Sequence, residues 1–115
     1  MFKAAANKGF SMTFENGNTV SVQWGPGNYC DRKGAGFDAP MKPENLKGGF
    51  WESGNAEVAA WNADKEWHNF GTFPDGRGAQ VQGYRTPRQV AEFIAFVGSN
   101  ELNTAKEKET DNAGN

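Results

Sequence analysis

With 115 residues, a formal net charge of −2 and a single cysteine, the chain reads as one domain with no basic field and no disulfide framework. A duplex nucleic-acid binder advertises itself by a basic face, so that class is set aside, and most cysteine-based zinc sites go with it. No run of about 18 apolar residues occurs and Met1 to Lys8 lacks a signal-peptide core, so a cytoplasmic protein without a membrane segment is expected.

The apolar fraction is only 37%, but nine Phe and four Trp supply large buried areas from few side chains. Fifteen Gly and five Pro demand many turns, which suits β structure. The domain is expected over 1–102, with a long loop at about 25–50. The polar stretch 103–115 reads as a disordered, solubilising tail.

Residues Phe10 to Trp24 read as a hairpin: Phe10, Met12 and Phe14 alternate on one arm, Val20, Val22 and Trp24 on the other. A two-residue turn at Asn16-Gly17 would oppose Met12 to Ser21, apolar against polar, and parity rejects it. A three-residue loop, Glu15-Asn16-Gly17 with Gly17 left-handed, pairs Met12 with Val20 and Phe10 with Val22. From Gly25 to Gly49 no period holds, and six Gly and three Pro mark an excursion of the kind that is functional or mobile. Within it, Pro43 to Leu46 suits one helical turn.

Strand signals resume at Phe50-Trp51 and at Ala56 to Asn62, where Ala56, Val58 and Ala60 share a face. After a turn at Asn62 to Lys65, Trp67 to Phe70 is predicted as a return strand and Ala79 to Tyr84 as another. The helix at Pro87 to Val97 has the clearest signature. Thr86 caps it, Gln89 completes a capping box, and Val90, Phe93, Ile94 and Val97 form one apolar face, with Gly98 as the stop. The predicted class is α+β: an antiparallel sheet of about five strands, an N-terminal hairpin plus meander, with one C-terminal helix packed on one face.

Chemistry concentrates in Trp24-Gly25-Pro26-Gly27-Asn28-Tyr29-Cys30, where a well-patterned strand runs into a segment that no strand continues through. The Gly25 to Asn28 amides suit an anion-binding nest, with Arg32 adding a planar fork of donors, and Trp24, Tyr29 and Trp51 offer stacking faces. Hairpin parity, however, puts Trp24 on the apolar face and shifts the emphasis to Asn28, Tyr29 and Arg32. The helix start, with Arg85 and Arg88 around its free amides, is a second anion candidate. A thiol nucleophile with a histidine base would have to use Cys30 and His68, and a buried inert cysteine with a strand-borne histidine is the commoner arrangement. No catalytic group, metal site or cofactor is expected.

The blocks Phe14-x-Asn16-Gly17-x-Thr19-Val20-Ser21-Val22-Gln23-Trp24-Gly25-x-Gly27-Asn28-Tyr29-Cys30, Ala56 to Trp61 and Gly83-Tyr84-x-Thr86-Pro87 resemble small uncharacterised accessory proteins of tailed bacteriophages. The likeness spans roughly residues 10 to 98. It implies expression in an infected bacterial cytoplasm and a counter-defence role, and transfers no residue roles. The expected function is therefore non-catalytic sequestration of a small anionic, nucleotide-like ligand by a homo-oligomer. The alternative is a protein-interaction module that inhibits a host defence enzyme, and an enzyme degrading a nucleotide signal comes third.

Overall fold

The computed structural model of the chain describes residues 1–104; the expectation of a tail over 105–115 lies outside them. Five antiparallel strands form one sheet in simple chain order: β1 (Phe2–Ala4), β2 (Gly9–Thr13), β3 (Thr19–Gln23), β4 (Ala56–Trp61) and β5 (Gln82–Arg85). The helix α1 (Pro87–Ser99) packs against β3, β4 and β5. The architecture is the α+β class read from the sequence.

Parity fixes the hairpin as expected. Phe10 faces Val22 and Met12 faces Val20. The Phe14 N–H donates to the Asn18 carbonyl, which leaves Glu15-Asn16-Gly17 as the loop, with Gly17 at φ +89°. One face of β3 and β4 thus presents Val20, Val22, Ala56, Val58 and Ala60, all buried with Val97 and Leu102. The alanines of β4 leave space that Val90, Phe93 and Ile94 of α1 fill. The capping box forms in both directions, Gln89 N–H to Thr86 Oγ1 and Thr86 N–H to Gln89 Oε1. At the other end α1 continues past Gly98 to Ser99 because the hairpin loop serves its last carbonyls. Asn18 Nδ2 donates to Val97 and Asn100, and Asn16 Nδ2 also reaches Val97.

Three elements differ from the sequence reading. Strand β1, too short to show a period, pairs with β2 along Phe2 to Ala4. Phe50-Trp51 is no strand: Phe50 closes a tight turn onto Lys47 through Gly48 (φ +56°) and Gly49 (φ +86°), a geometry that demands glycine. Trp67 to Phe70 makes only isolated bridges, Trp67 to Trp61 and His68 to Thr104, because β5 takes the free edge of β4 instead. The displaced segment pairs with the residues that follow α1. Asn69 N–H donates to the Asn103 carbonyl at 2.7 Å, Asn103 N–H donates to His68 Nδ1 at 3.1 Å, and Thr104 is buried. Asn103 and Thr104, expected at the head of the tail, are therefore part of the packed domain. Among the described residues no helix is long and apolar enough to cross a membrane.

Candidate functional site

The excursion leaves the sheet after Gln23 and rejoins it at Ala56, and Trp24 and Trp51 clasp its neck. Trp24 Nε1 donates to the Trp51 carbonyl at 3.1 Å, and Trp51 Nε1 donates to the Trp24 carbonyl at 2.8 Å. Both indoles, Trp24 half-buried and Trp51 buried, thereby satisfy their polar atom. Trp51 is only 7% exposed. Inside the neck the chain forms two 3-10 turns, Ala39–Met41 and Pro43–Asn45, the second where the sequence suggested a helical turn. Ala39 and Pro40 are buried, so the excursion carries a small anchor of its own.

The Gly25 to Asn28 amides do not form an open anion nest: Pro26 has no N–H, the Asn28 N–H donates to the Gly25 carbonyl, and the Gly25 N–H is taken by a side chain. Asn28 Oδ1 accepts from the Gly25 N–H at 2.9 Å. The Glu57 carboxylate on β4 accepts from Asn28 Nδ2 at 3.1 Å and from the Tyr29 N–H at 3.0 Å. Asn28 and the Tyr29 backbone are thus committed to fastening the excursion to the sheet. Tyr29 also crosses β5: its carbonyl accepts from the Tyr84 N–H at 2.9 Å, and its Cβ lies so close to Gly83 that a side chain there would approach to 2.5 Å. The Tyr29 ring stays half exposed beneath Lys33 Nζ, 4.4 Å from the ring centroid. The pairing of Glu57 with a loop 28 residues away has no sequence signal.

Arg32 and Trp51 do come together. The Arg32 guanidinium lies over the Trp51 ring at 5.2 Å, and its Nε donates to the Glu52 carbonyl. Both line an open cleft of about 290 Å³ with Lys47, Glu44, Asn45 and Leu46. Trp51 thus supports Arg32 with one face of its ring, and its N–H is used. Lys47 and Glu44 carry no motif that marks them in the sequence. The Gly48-Gly49 turn is what carries Lys47 to this cleft.

The helix start is a different place. Pro87 has no N–H, and the Gln89 N–H is taken by the cap, so of the amides expected to face an anion only that of Arg88 is left. The Arg88 side chain is exposed and pairs with Glu92 at 3.6 Å. Arg85 instead lines a cavity of about 180 Å³ with Trp24, Val22, Ala56, Pro87 and Val90. The seven residues singled out from the sequence thus separate: Arg32 and Trp51 in one cleft, Trp24 and Arg85 in another cavity, Asn28 and Tyr29 in the fastening, Arg88 on the outside.

Cys30 is buried, its thiol directed to the Gly25 carbonyl at 3.6 Å. His68 sits among the rings of Phe70, Phe93 and Phe96 at 4.8 to 5.8 Å, and burial lowers its pKa from the ordinary 6.5. Among the described residues, no group of three His, Cys, Asp or Glu could hold a metal ion. No family model, curated protein or solved structure matches the chain.

Proposed function

We propose that this protein binds and sequesters a small anionic, phosphate-bearing, nucleotide-like molecule without altering it, in the cleft between Arg32, Lys47 and Trp51. The observation that supports this most is a guanidinium held in place from two sides, by the Trp51 ring and the Glu52 carbonyl, beside a second cation in one cleft. An arginine so oriented loses little side-chain freedom on engaging a phosphate. Glu44 and the Oδ1 of Asn45, whose Nδ2 already donates to the Ala39 carbonyl at 3.1 Å, offer acceptors for hydroxyl or amino groups of the same ligand. A cleft of about 290 Å³ is at the small end for a drug-sized ligand. A second copy closing over it would complete the enclosure, so a homo-oligomer belongs to the proposal. In the infected-cell context that the phage resemblance implies, sequestration would deprive a defence pathway of its nucleotide signal.

Protein purified from bacterial cytoplasm, heated to release bound molecules and examined by mass spectrometry, tests this reading. An intact phosphate-bearing molecule supports it. A hydrolysed product points to catalysis, and no released or added nucleotide binding sinks it.

A second reading, docking onto a host defence enzyme, is favoured by one separate observation. The excursion leaves Phe37 90%, Phe50 72% and Met41 64% exposed, and large apolar side chains of this kind mark interaction surfaces. Capture of one defined host enzyme by the native chain, abolished by Phe37→Ser with Phe50→Ser while nucleotide binding persists, would establish it over the first.

A further inference from the structure

We propose that the cavity between Trp24 and the start of α1 is a second binding site, built for the carboxylate of a small apolar or aromatic acid. It shares no lining residue with the Arg32 cleft. Its apolar walls are Val22, Trp24, Ala56, Pro87 and Val90, Ser53, Gly54 and Asn55 complete the lining, and its charged member is Arg85. The volume of about 180 Å³ exceeds the roughly 150 Å³ at which an apolar protein cavity accepts benzene.

How Arg85 reaches this place is the informative part. Ala56 pairs with Arg85 and Val58 with Gln82, so Gly83 and Tyr84 together oppose Glu57 in a β-bulge. Tyr84 adopts φ +54°, a left-handed conformation that a bulky residue takes only under strain, and the Tyr29 carbonyl holds it there. The bulge sets the register of Arg85 against Ala56, on the wall of the cavity. Arg85 Nε then donates to the Gly83 carbonyl at 3.0 Å, which fixes the plane of the guanidinium. Its two Nη groups have no hydrogen-bond or ion-pair partner among the described residues, although the residue is half-buried. A partly desolvated cation in a largely apolar cavity is costly unless it meets an anion.

The chemistry of the walls selects the anion. One guanidinium neutralises one charge and matches the planar two-oxygen fork of a carboxylate. The second charge of a phosphate dianion would meet no second cation in this lining. An aromatic or short aliphatic body would fill the space beside Trp24.

Titration of the full chain with benzoate and with benzamide, its uncharged isostere, tests the site without any substitution. Benzoate should bind saturably at millimolar concentration or below, and at least tenfold more tightly than benzamide. The backbone amide resonances of Ala56 and Val90 should shift with it. Arg85→Gln should remove the preference for benzoate, whereas Arg32→Gln should leave it intact, which separates this site from the nucleotide cleft. Equal binding of the two probes, absence of saturable binding, or shifts confined to the Arg32 cleft would overturn the proposal.

Discussion

Trp24 and Trp51 exchange hydrogen bonds, each indole N–H donating to the other residue's carbonyl. This reciprocal pair closes a 27-residue separation at its neck and supplies one wall to each of two cavities. It converts a Gly- and Pro-rich segment into a fixed structure.

Trp51→Phe should leave the Trp24 carbonyl without its donor and lower stability by about 1 to 3 kcal/mol in urea unfolding. Trp24→Phe should behave alike. Since each substitution removes one half of a mutual contact, the double variant should fall short of or exceed the sum by about 0.5 kcal/mol or more. Strict additivity would show that the two bonds act independently.

Asn28→Ala tests the fastening. It removes the acceptor for Gly25 N–H and the Nδ2 donor to Glu57, so stability should drop by about 1 to 3 kcal/mol while nucleotide affinity at the Arg32 cleft stays within about twofold. A loss of affinity with unchanged stability would return Asn28 to the ligand site.

Gly83→Ala should be destabilising by about 1 to 3 kcal/mol, because the new Cβ would approach Tyr29 Cβ to 2.5 Å and its carbonyl oxygen to 2.8 Å. Hydrogen exchange should show the faster opening in residues 26 to 34 rather than in the β2–β3 hairpin. Uniform loosening of the whole sheet would contradict the local origin.

His68 gives a pH dependence of definite sign. Burial lowers its folded-state pKa below 6.5, so the native state favours the neutral ring whose Nδ1 accepts from Asn103 N–H. The resulting stability is full above pH 6.5 and is lost as pH falls through the lower folded-state value. The rings of Phe70, Phe93 and Phe96 around it offer no charge to a proton. His68→Gln, which keeps an acceptor but does not titrate, should show a shallower decline in Tm between neutral and mildly acidic pH. Parallel declines in both proteins would refute the role of His68.

Much of this architecture is legible in the sequence where the signal is local. The Phe10–Val22 register follows from parity, and the helix start from Thr86 and Gln89 three residues apart. What competes across the chain is not legible. Trp67 to Phe70 has strand composition, yet β5 occupies the edge it would need and the segment binds Asn103 and Thr104 instead. The glycine-rich segment has the composition of an anion site, yet Glu57 of another strand takes the Asn28 side chain and the Tyr29 N–H instead. Arg32 and Trp51 are conspicuous as residue types, but their stacking, and the arrival of Lys47 beside them, depend on the closure of the neck.

The central claim, a phosphate-bearing ligand held at the Arg32 cleft, is tested most directly by calorimetric titration of cyclic di- and trinucleotides and ADP-ribose derivatives into the native chain and into Arg32→Gln. Saturable binding of at least one of them, weakened tenfold or more by the substitution and with Arg85→Gln unaffected, is the predicted result. No heat with any ligand, or equal affinity in the native chain and Arg32→Gln, would contradict it.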